Sequence, residues 1–415
     1  MNDSQFCTTA LRSASWRRLL LLCGLFISAV ALADKPIVIV LSWDGLRHDY
    51  PDLAEFSGLQ RLEQEGVRAE ALRAGWPSNT FPGHVSLATG TYADRHGIVD
   101  NRFYDRQRGV FSYSSDADWL EAEPLWIAAE RQGIRAATYF WVGSESDWRG
   151  QQQSYRIAPF DGGRLEALKV EQILAWLGLS EPARPQLIMS YWAGVDSIGH
   201  DYGPDSQRLS GQLVDQDYQL QRLMRGIDQL DLWAATTLIL VSDHGMTLTA
   251  PGIDLAGTLH RADIPARVFG GALAHVFLED PEQADAASVV IEQVIAAECP
   301  GAKLYPGARL PDQMRLRHPS RTGDLVVVAP PPCNFNRRQG FGGYAQTLLA
   351  GLGWGFGSHG YDPNHPDMAG VFMAMGRGVD TDLELGEVRQ IDVAATVSRL
   401  LDIEPPLQSE GQPIW

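Results

Sequence analysis

Four short runs of aliphatic and β-branched residues, each ending in polar or acidic residues, constrain this chain more than any other feature. They are Pro36 to Leu41, Ala136 to Phe140, Gln186 to Tyr191 and Thr236 to Val241. Between them, Asp52 to Glu65, Pro124 to Gln132, Arg164 to Leu177 and Gln207 to Leu230 carry apolar residues at helical spacing. Apolar strands alternating with amphipathic helices predict an α/β fold in which helices cover both faces of a mostly parallel sheet. After Gly245 the chain changes character, with Pro251, Pro300, Pro306, Pro311 and Pro330 to Pro332 interrupting it. A smaller lobe inserted at about residues 247–356 is expected there. The regular pattern resumes with a strand over Met368 to Met375 and a helix over Ile391 to Leu401.

At the amino end, Arg17 and Arg18 precede an apolar run from Leu19 to Ala31 and the small-residue site Ala31-Leu32-Ala33. This reads as a signal peptide over residues 1–33, with the folded domain at 34–415 and a periplasmic or secreted destination. The apolar run is short for a membrane anchor, which needs about 20 residues. Its removal takes away Cys7 and Cys23. It also takes three arginines and one aspartate, so the net charge of −17 becomes −19. So acidic a chain is a poor tracker of nucleic-acid backbones. Cys299 and Cys333 remain, an even pair that suits a disulfide in an oxidising compartment, two unpaired thiols being the alternative.

In a parallel sheet, ligands gather beyond the carboxyl ends of the strands, so the residues just past each run are the ones to weigh. Asp44 follows the first run in SWDG, and Asp243 and His244 follow the fourth in SDHGM. The third run leads to Asp196 and His200, four apart and on one face of a helical turn. His359 sits late, in the glycine-rich GWGFGSHGYD. Singly, each has a plain structural explanation as a cap, a turn or a helical hydrogen bond. Together they offer six nitrogen and oxygen ligands, three for each of two divalent metals. Mixed carboxylate and imidazole ligation points to zinc rather than calcium or magnesium. Thr80, in SNTFPGH, precedes Pro82, which is expected to open a helix. The threonine would lie where backbone N–H groups and the helix dipole attract an anion. Locally it reads equally well as an N-cap.

The chain resembles the nucleotide pyrophosphatase/phosphodiesterase family of the alkaline phosphatase superfamily. The resemblance runs through IVIVLSWDGLR, TFPGHVSLATGTYADRHGIVDNRFYD, ATYFWVGSE, YWAGVDSIGHDYGPDS, LVSDHGM, GSHGYDPNHPDMAGVFMAMG and EVRQIDVAATVSRLLDIEP. It implies an alkaline-phosphatase-like core. It also implies that Asp44, Thr80, Asp243 and His244 surround one zinc and that Asp196, His200 and His359 hold the other. Thr80 would be the nucleophile, passing through a phosphothreonine, and Asn101 a donor to phosphate oxygen. Phe81 and Tyr191, with Tyr155 as a third member, look like the family's aromatic clamp on a nucleotide base, although each also suits core packing. The family often has asparagine where this chain has Gly83, which bears on substrate positioning. His84, His96 and His365 read as structural. The partner implied is a small phosphodiester or nucleotide, with no nucleic-acid duplex and no lasting membrane anchor. Phosphate monoester hydrolysis on the same core, with Arg164 as an added cation, is one alternative. A non-catalytic exported metal-binding protein is the other.

Overall fold

The computed structural model describes residues 35–336 and 347–415. The expected signal peptide with Cys7 and Cys23, and residues 337–346 of the expected lobe, lie outside the described residues.

Eight strands form the main sheet, in the order β16 (Leu385–Arg389), β2 (Gly66–Arg73), β15 (Phe372–Gly376), β8 (Thr236–Val241), β1 (Ile37–Trp43), β7 (Leu187–Trp192), β5 (Ala136–Tyr139) and β6 (Tyr155–Ile157). All neighbouring pairs are parallel except those made by β15, which runs against both β2 and β8. Central β1 explains the continuous apolar run, because successive side chains point to opposite faces and both faces are covered. Val38 and Val40 enter the core on one side, Ile37, Ile39 and Leu41 that on the other.

The long helix Gln207–Leu230 packs Leu213, Leu220, Leu223 and Ile227 into the second of these cores. It begins where the Ser206 hydroxyl accepts from the Leu209 N–H at 3.2 Å, satisfying a free N–H of the first turn. Thr80–Thr89 and Gln390–Leu400 cover the opposite face with Val85, Leu87, Val393 and Val397. The expected strand at Met368 to Met375 starts later than its apolar run, because Pro366–Met368 is a 3₁₀ turn and Gly370 packs against Ser242.

Two small pairs flank the main sheet: β3 (Arg102–Asp105) with β4 (Gly109–Ser112), and β9 (Thr247–Thr249) with β14 (Phe356–Ser358). A second antiparallel sheet has the order β10 (Ala266–Gly270), β11 (Leu273–Leu278), β13 (Leu325–Val328) and β12 (Lys303–Pro306). The helices Leu255–Arg261 and Ala284–Glu298 cover it through Leu255, Leu259, Ile291 and Ile295. Cys299 and Cys333 are disulfide-bonded beside this layer, with Cα atoms 5.9 Å apart.

Arg321 ties the segment before β13 to the main core. It is 2% exposed. It donates to Asp105 Oδ2 at 2.8 Å and to the carbonyls of Gly97 and Trp119 at 2.7 and 3.0 Å, and it pairs with Glu121 at 2.6 Å. Removing one partner of so buried a pair leaves an uncompensated charge. Arg321→Ala is therefore expected to lower unfolding free energy by about 3–5 kcal/mol, read from a urea melt. A loss within about 0.5 kcal/mol, ordinary for a surface site, would contradict this account.

Candidate active site

Strands β1, β7 and β8 run parallel, so their carboxyl ends share one edge. Asp44 follows β1 and Asp243 follows β8, while Asp196 and His200 lie on the helix Gly194–Tyr202 that succeeds β7. Gly45 makes this convergence feasible. With φ at +68° it turns the chain sharply, and a Cβ there would stand 3.1 Å from Asp196.

The side chains meet in two groups. Asp196 Oδ1 lies 3.3 Å from His200 Nε2 and 3.6 Å from His359 Nε2, and the two imidazole nitrogens are 3.1 Å apart. His244 Nε2 lies 3.3 Å from Asp44 Oδ1 and 3.1 Å from Asp243 Oδ2. The His244 and His359 rings stack at 3.6 Å between the groups. In each of these three histidines Nδ1 faces a backbone carbonyl: Gly357 for His200, Ser78 for His359 and Gly245 for His244. A carbonyl only accepts, so Nδ1 holds the proton and Nε2 presents a lone pair.

Those lone pairs face carboxylate oxygens that have no donor of their own. Asp44 Oδ1, Asp196 Oδ1 and Asp243 Oδ2 are all buried without a hydrogen bond. Acceptor against acceptor is repulsive unless a cation sits between them, so the donor set fits divalent metals with nitrogen and oxygen ligands. Two sets bring their ligand atoms within 4.8 Å of one another: Asp196, His200 and His359, and Asp44, Asp196 and His244.

Burial dominates the electrostatics. It pushes Asp44 well above the carboxylate range, reinforced by Asp243 and Asp196, and takes Asp243 up to about 8. Asp196 is raised for the same reason. Burial also drives His244 down to about 3 and His359 well below the histidine range, leaving both neutral, the form in which imidazole can bind a metal.

Thr80 is the first residue of its helix, with Asn79 in the capping position, so the helix starts two residues before the expected Pro82. Its hydroxyl caps nothing and lies 3.3 Å from His244 Nε2. The Asn101 side-chain oxygen accepts from the Phe81 N–H at 2.7 Å, and Asn101 lines the same cavity as Thr80. His84, expected to be structural, is fully buried under the nucleophile candidate. It contacts the Thr80 carbonyl at 2.8 Å, Ser42 Oγ at 2.7 Å and Asp243 Oδ2 at 3.4 Å. His96 is buried against Ser86, away from the cluster. Gly83 does not face substrate, for a Cβ there would stand 2.9 Å from the Asp243 carbonyl. Its role is close packing of the helix on a ligand loop.

A cavity of about 550 Å³ opens beside Thr80, walled by Phe81, Tyr113, Phe140, Phe160 and Tyr191. The Tyr191 hydroxyl donates to Asp44 Oδ2 at 2.5 Å, so its ring forms a wall while its polar end orients a ligand. Tyr155 is not there. It begins β6, at the amino end of the strand, where its hydroxyl donates to the Ala183 carbonyl and its ring packs on Trp176. Phe160, just past the carboxyl end of β6, occupies the wall instead; β6 is only three residues long, so the sequence carried no clear signal for it. A smaller polar cavity of about 300 Å³ adjoins the aromatic one, sharing Asn101, Tyr113, His200 and His359 and also touching Asn79, Asp100 and Arg102.

The sequence profile of type I phosphodiesterase/nucleotide pyrophosphatase matches residues 38–362. The chain belongs to that family. Type I phosphodiesterases and nucleotide pyrophosphatases are hydrolases, so this member is a hydrolytic enzyme. An uncharacterized pyrophosphatase/phosphodiesterase of Schizosaccharomyces pombe is 28% identical over 392 residues, covering 88% of this chain and 77% of that one. The venom phosphodiesterase of Naja atra is 28% identical over 388 residues and 90% of this chain; the chain spans only 45% of the venom protein's length. Among solved structures, an inactive variant of murine ectonucleotide pyrophosphatase/phosphodiesterase 5, in complex with AMP, superposes with a TM-score of 0.81. It shares 24% identity over 91% of this chain and 98% of its own, a likeness of fold that supports the alkaline-phosphatase-like core.

The raised carboxyls of this family member set a pH signature. Asp243 titrates at about 8 in the metal-free fold, against about 3.9 when unfolded. A raised folded pKa favours folding at low pH, and that contribution is lost as pH rises through about 8. Metal ligation needs the deprotonated form and reverses the trend. Chelator-treated protein should therefore lose melting temperature from pH 5 to 9 while metal-loaded protein does not. A gap between the two that is constant with pH would refute the buried-carboxylate account.

Proposed function

We propose that the chain is an exported two-zinc enzyme that cleaves phosphodiester or pyrophosphate bonds of nucleotide-like substrates through Thr80. The observation that carries this reading is a helix-terminal hydroxyl, free of capping duty, set against the Asp/His cluster and opening on an aromatic cavity. Asp44, Asp243 and His244, with Thr80, would hold one ion, and Asp196, His200 and His359 the other. When bound, the ions would supply positive charge for the phosphoryl group and would make an alcohol a competent nucleophile at neutral pH.

Around them the protein binds and orients. Asn101 and the Thr80 N–H would donate to equatorial phosphate oxygens. The Thr80 Oγ1–P bond forms as the P–O bond to the leaving group breaks; the threonine proton passes to solvent and the leaving oxygen gains one. Water then attacks phosphorus, the Oγ1–P bond breaks and Thr80 regains its proton. The Phe81, Phe160 and Tyr191 rings supply the apolar wall that a diester's second substituent requires. Arg164, the cation that a monoester would call on, instead donates to the Tyr139 hydroxyl at 3.1 Å and does not line the cavity.

The disulfide supports an oxidising destination. No described helix is long and apolar enough to cross a membrane.

Thr80→Ala should retain two zinc ions per chain by elemental analysis and lose about 10³-fold or more in kcat. Wild type should prefer bis-p-nitrophenyl phosphate to p-nitrophenyl phosphate. Full activity in Thr80→Ala would remove the nucleophile assignment, and a strong monoester preference would overturn the diester reading. Metal-replete protein inert on both esters would favour the non-catalytic alternative.

A further inference from the structure

One buried acid, Asp100, is left without a part in this chemistry. It is 3% exposed, in the segment that leads from the helix Ala93–His96 into β3. Its Oδ1 accepts two hydrogen bonds, from Asn79 Nδ2 at 2.8 Å and from the Asn101 N–H at 2.6 Å. Asn79 immediately precedes Thr80. Asn101 in turn accepts from the N–H of Phe81, which immediately follows it. One carboxylate oxygen therefore anchors both flanks of the nucleophile candidate, through two separate arms.

Asn79 shows what this costs locally. It occupies the N-cap position, where an asparagine side chain ordinarily bonds the first helical N–H groups, yet it makes no capping bond. Its amide is committed to Asp100 instead. On the other side its oxygen rests on Gly360, where a Cβ would stand 2.5 Å away, so the amide has little freedom to turn back. Gly360 follows His359, so the brace also adjoins a metal-ligand candidate. Asp100 Oδ2 is buried without a partner, and the residue lines the polar cavity together with Asn79, Asn101, Arg102, His200 and His359.

We infer that Asp100 is a positioning residue, which brackets Thr80 between Asn79 and Asn101 so that the hydroxyl and the Asn101 amide address one phosphate together. The inference rests on the proposed role of Thr80. Burial pushes Asp100 up to about 7. The bracket needs only an acceptor, so a neutral amide at this position can replace it. The two arms predict a loss of geometry rather than of metal. A displacement of about 1 Å at a reacting group costs on the order of 10² in rate.

The test compares Asp100→Ala with Asp100→Asn in the full chain. The readouts are zinc content, melting temperature, kinetics on bis-p-nitrophenyl phosphate, and calorimetric affinity for inorganic phosphate. Asp100→Ala should lower kcat by about 10- to 100-fold and weaken phosphate binding by about 10-fold, with zinc content unchanged and KM within about threefold. Asp100→Asn should restore both kcat and phosphate affinity to within about threefold of wild type. An alanine variant with wild-type kcat would overturn the inference. So would an asparagine variant no better than alanine, or an alanine variant that loses zinc and melting temperature along with its rate. Failure of the underlying reading looks different, because wild-type protein would then be inactive on the same ester.

Discussion

Lone pairs set against lone pairs at the carboxyl edge of β1, β7 and β8 are the constraint on which the rest of this structure depends. His200, His244 and His359 each spend their proton on a backbone carbonyl and turn a bare nitrogen toward a carboxylate that has no donor. Left to itself, such a cluster would push apart, or take up protons at the carboxyls. It holds because rigid elements impose it. Strand register fixes Asp44 and Asp243 on one edge, and the i, i+4 spacing on Gly194–Tyr202 fixes Asp196 and His200 on one helical face. The stability of the surrounding α/β frame is thus committed in part to holding together groups that either a metal cation or protons on the carboxyls must reconcile.

Glycine supplies the close approaches that this demands. A side chain at Gly45 would meet Asp196, one at Gly83 would meet Asp243, and one at Gly360 would meet Asn79. Each brings a segment bearing candidate ligands or the candidate nucleophile close against another. Gly83 is the instructive case. As a departure from the family's frequent asparagine, it reads in the sequence as a change at the substrate. In three dimensions it faces the backbone of Asp243, where a longer side chain would move either the helix that carries Thr80 or the loop that carries the ligand.

Much of this was legible along the chain, for a physical reason. Strands buried on both faces have no polar side to disguise them, so β1, β5, β7 and β8 stand out as apolar runs, and the polar residues at their carboxyl ends stand out with them. The helix Gln207–Leu230 was equally clear, because it keeps one apolar period over 24 residues. β2 was not, since Arg68 and Glu70 interrupt GVRAEALR and a half-covered strand gives a weaker pattern. β16 and β6 lie at the sheet edges and are short, and the four-stranded layer is broken by prolines. Around the site, residues placed by strand ends could be read, whereas those placed by loops could not. Tyr155 and Phe160 are five residues apart, and only the length of β6 decides which of them reaches the cavity.

The same distinction separates what holds this site from what would select its substrate. The Asp/His cluster stands on strand ends and one helix, the elements with least freedom. Three of the five wall aromatics stand outside helices and strands: Tyr113 at φ +46° past β4, Phe140 at φ +60° past β5, and Phe160 past β6. Non-glycine residues in that conformation are strained, and they persist where the surroundings hold them. Here the Tyr113 N–H bonds the Asn101 carbonyl at 3.2 Å and the Phe140 N–H the Ile157 carbonyl at 3.4 Å, while Glu145 accepts from the Phe160 N–H at 3.1 Å, so these three residues are each held by a backbone bond. A frame of this kind can keep its reaction while its walls change. Substitutions at Tyr113 or Phe160 act on which substituent fits, and substitutions at Gly45 or Gly83 act on whether the cluster forms at all.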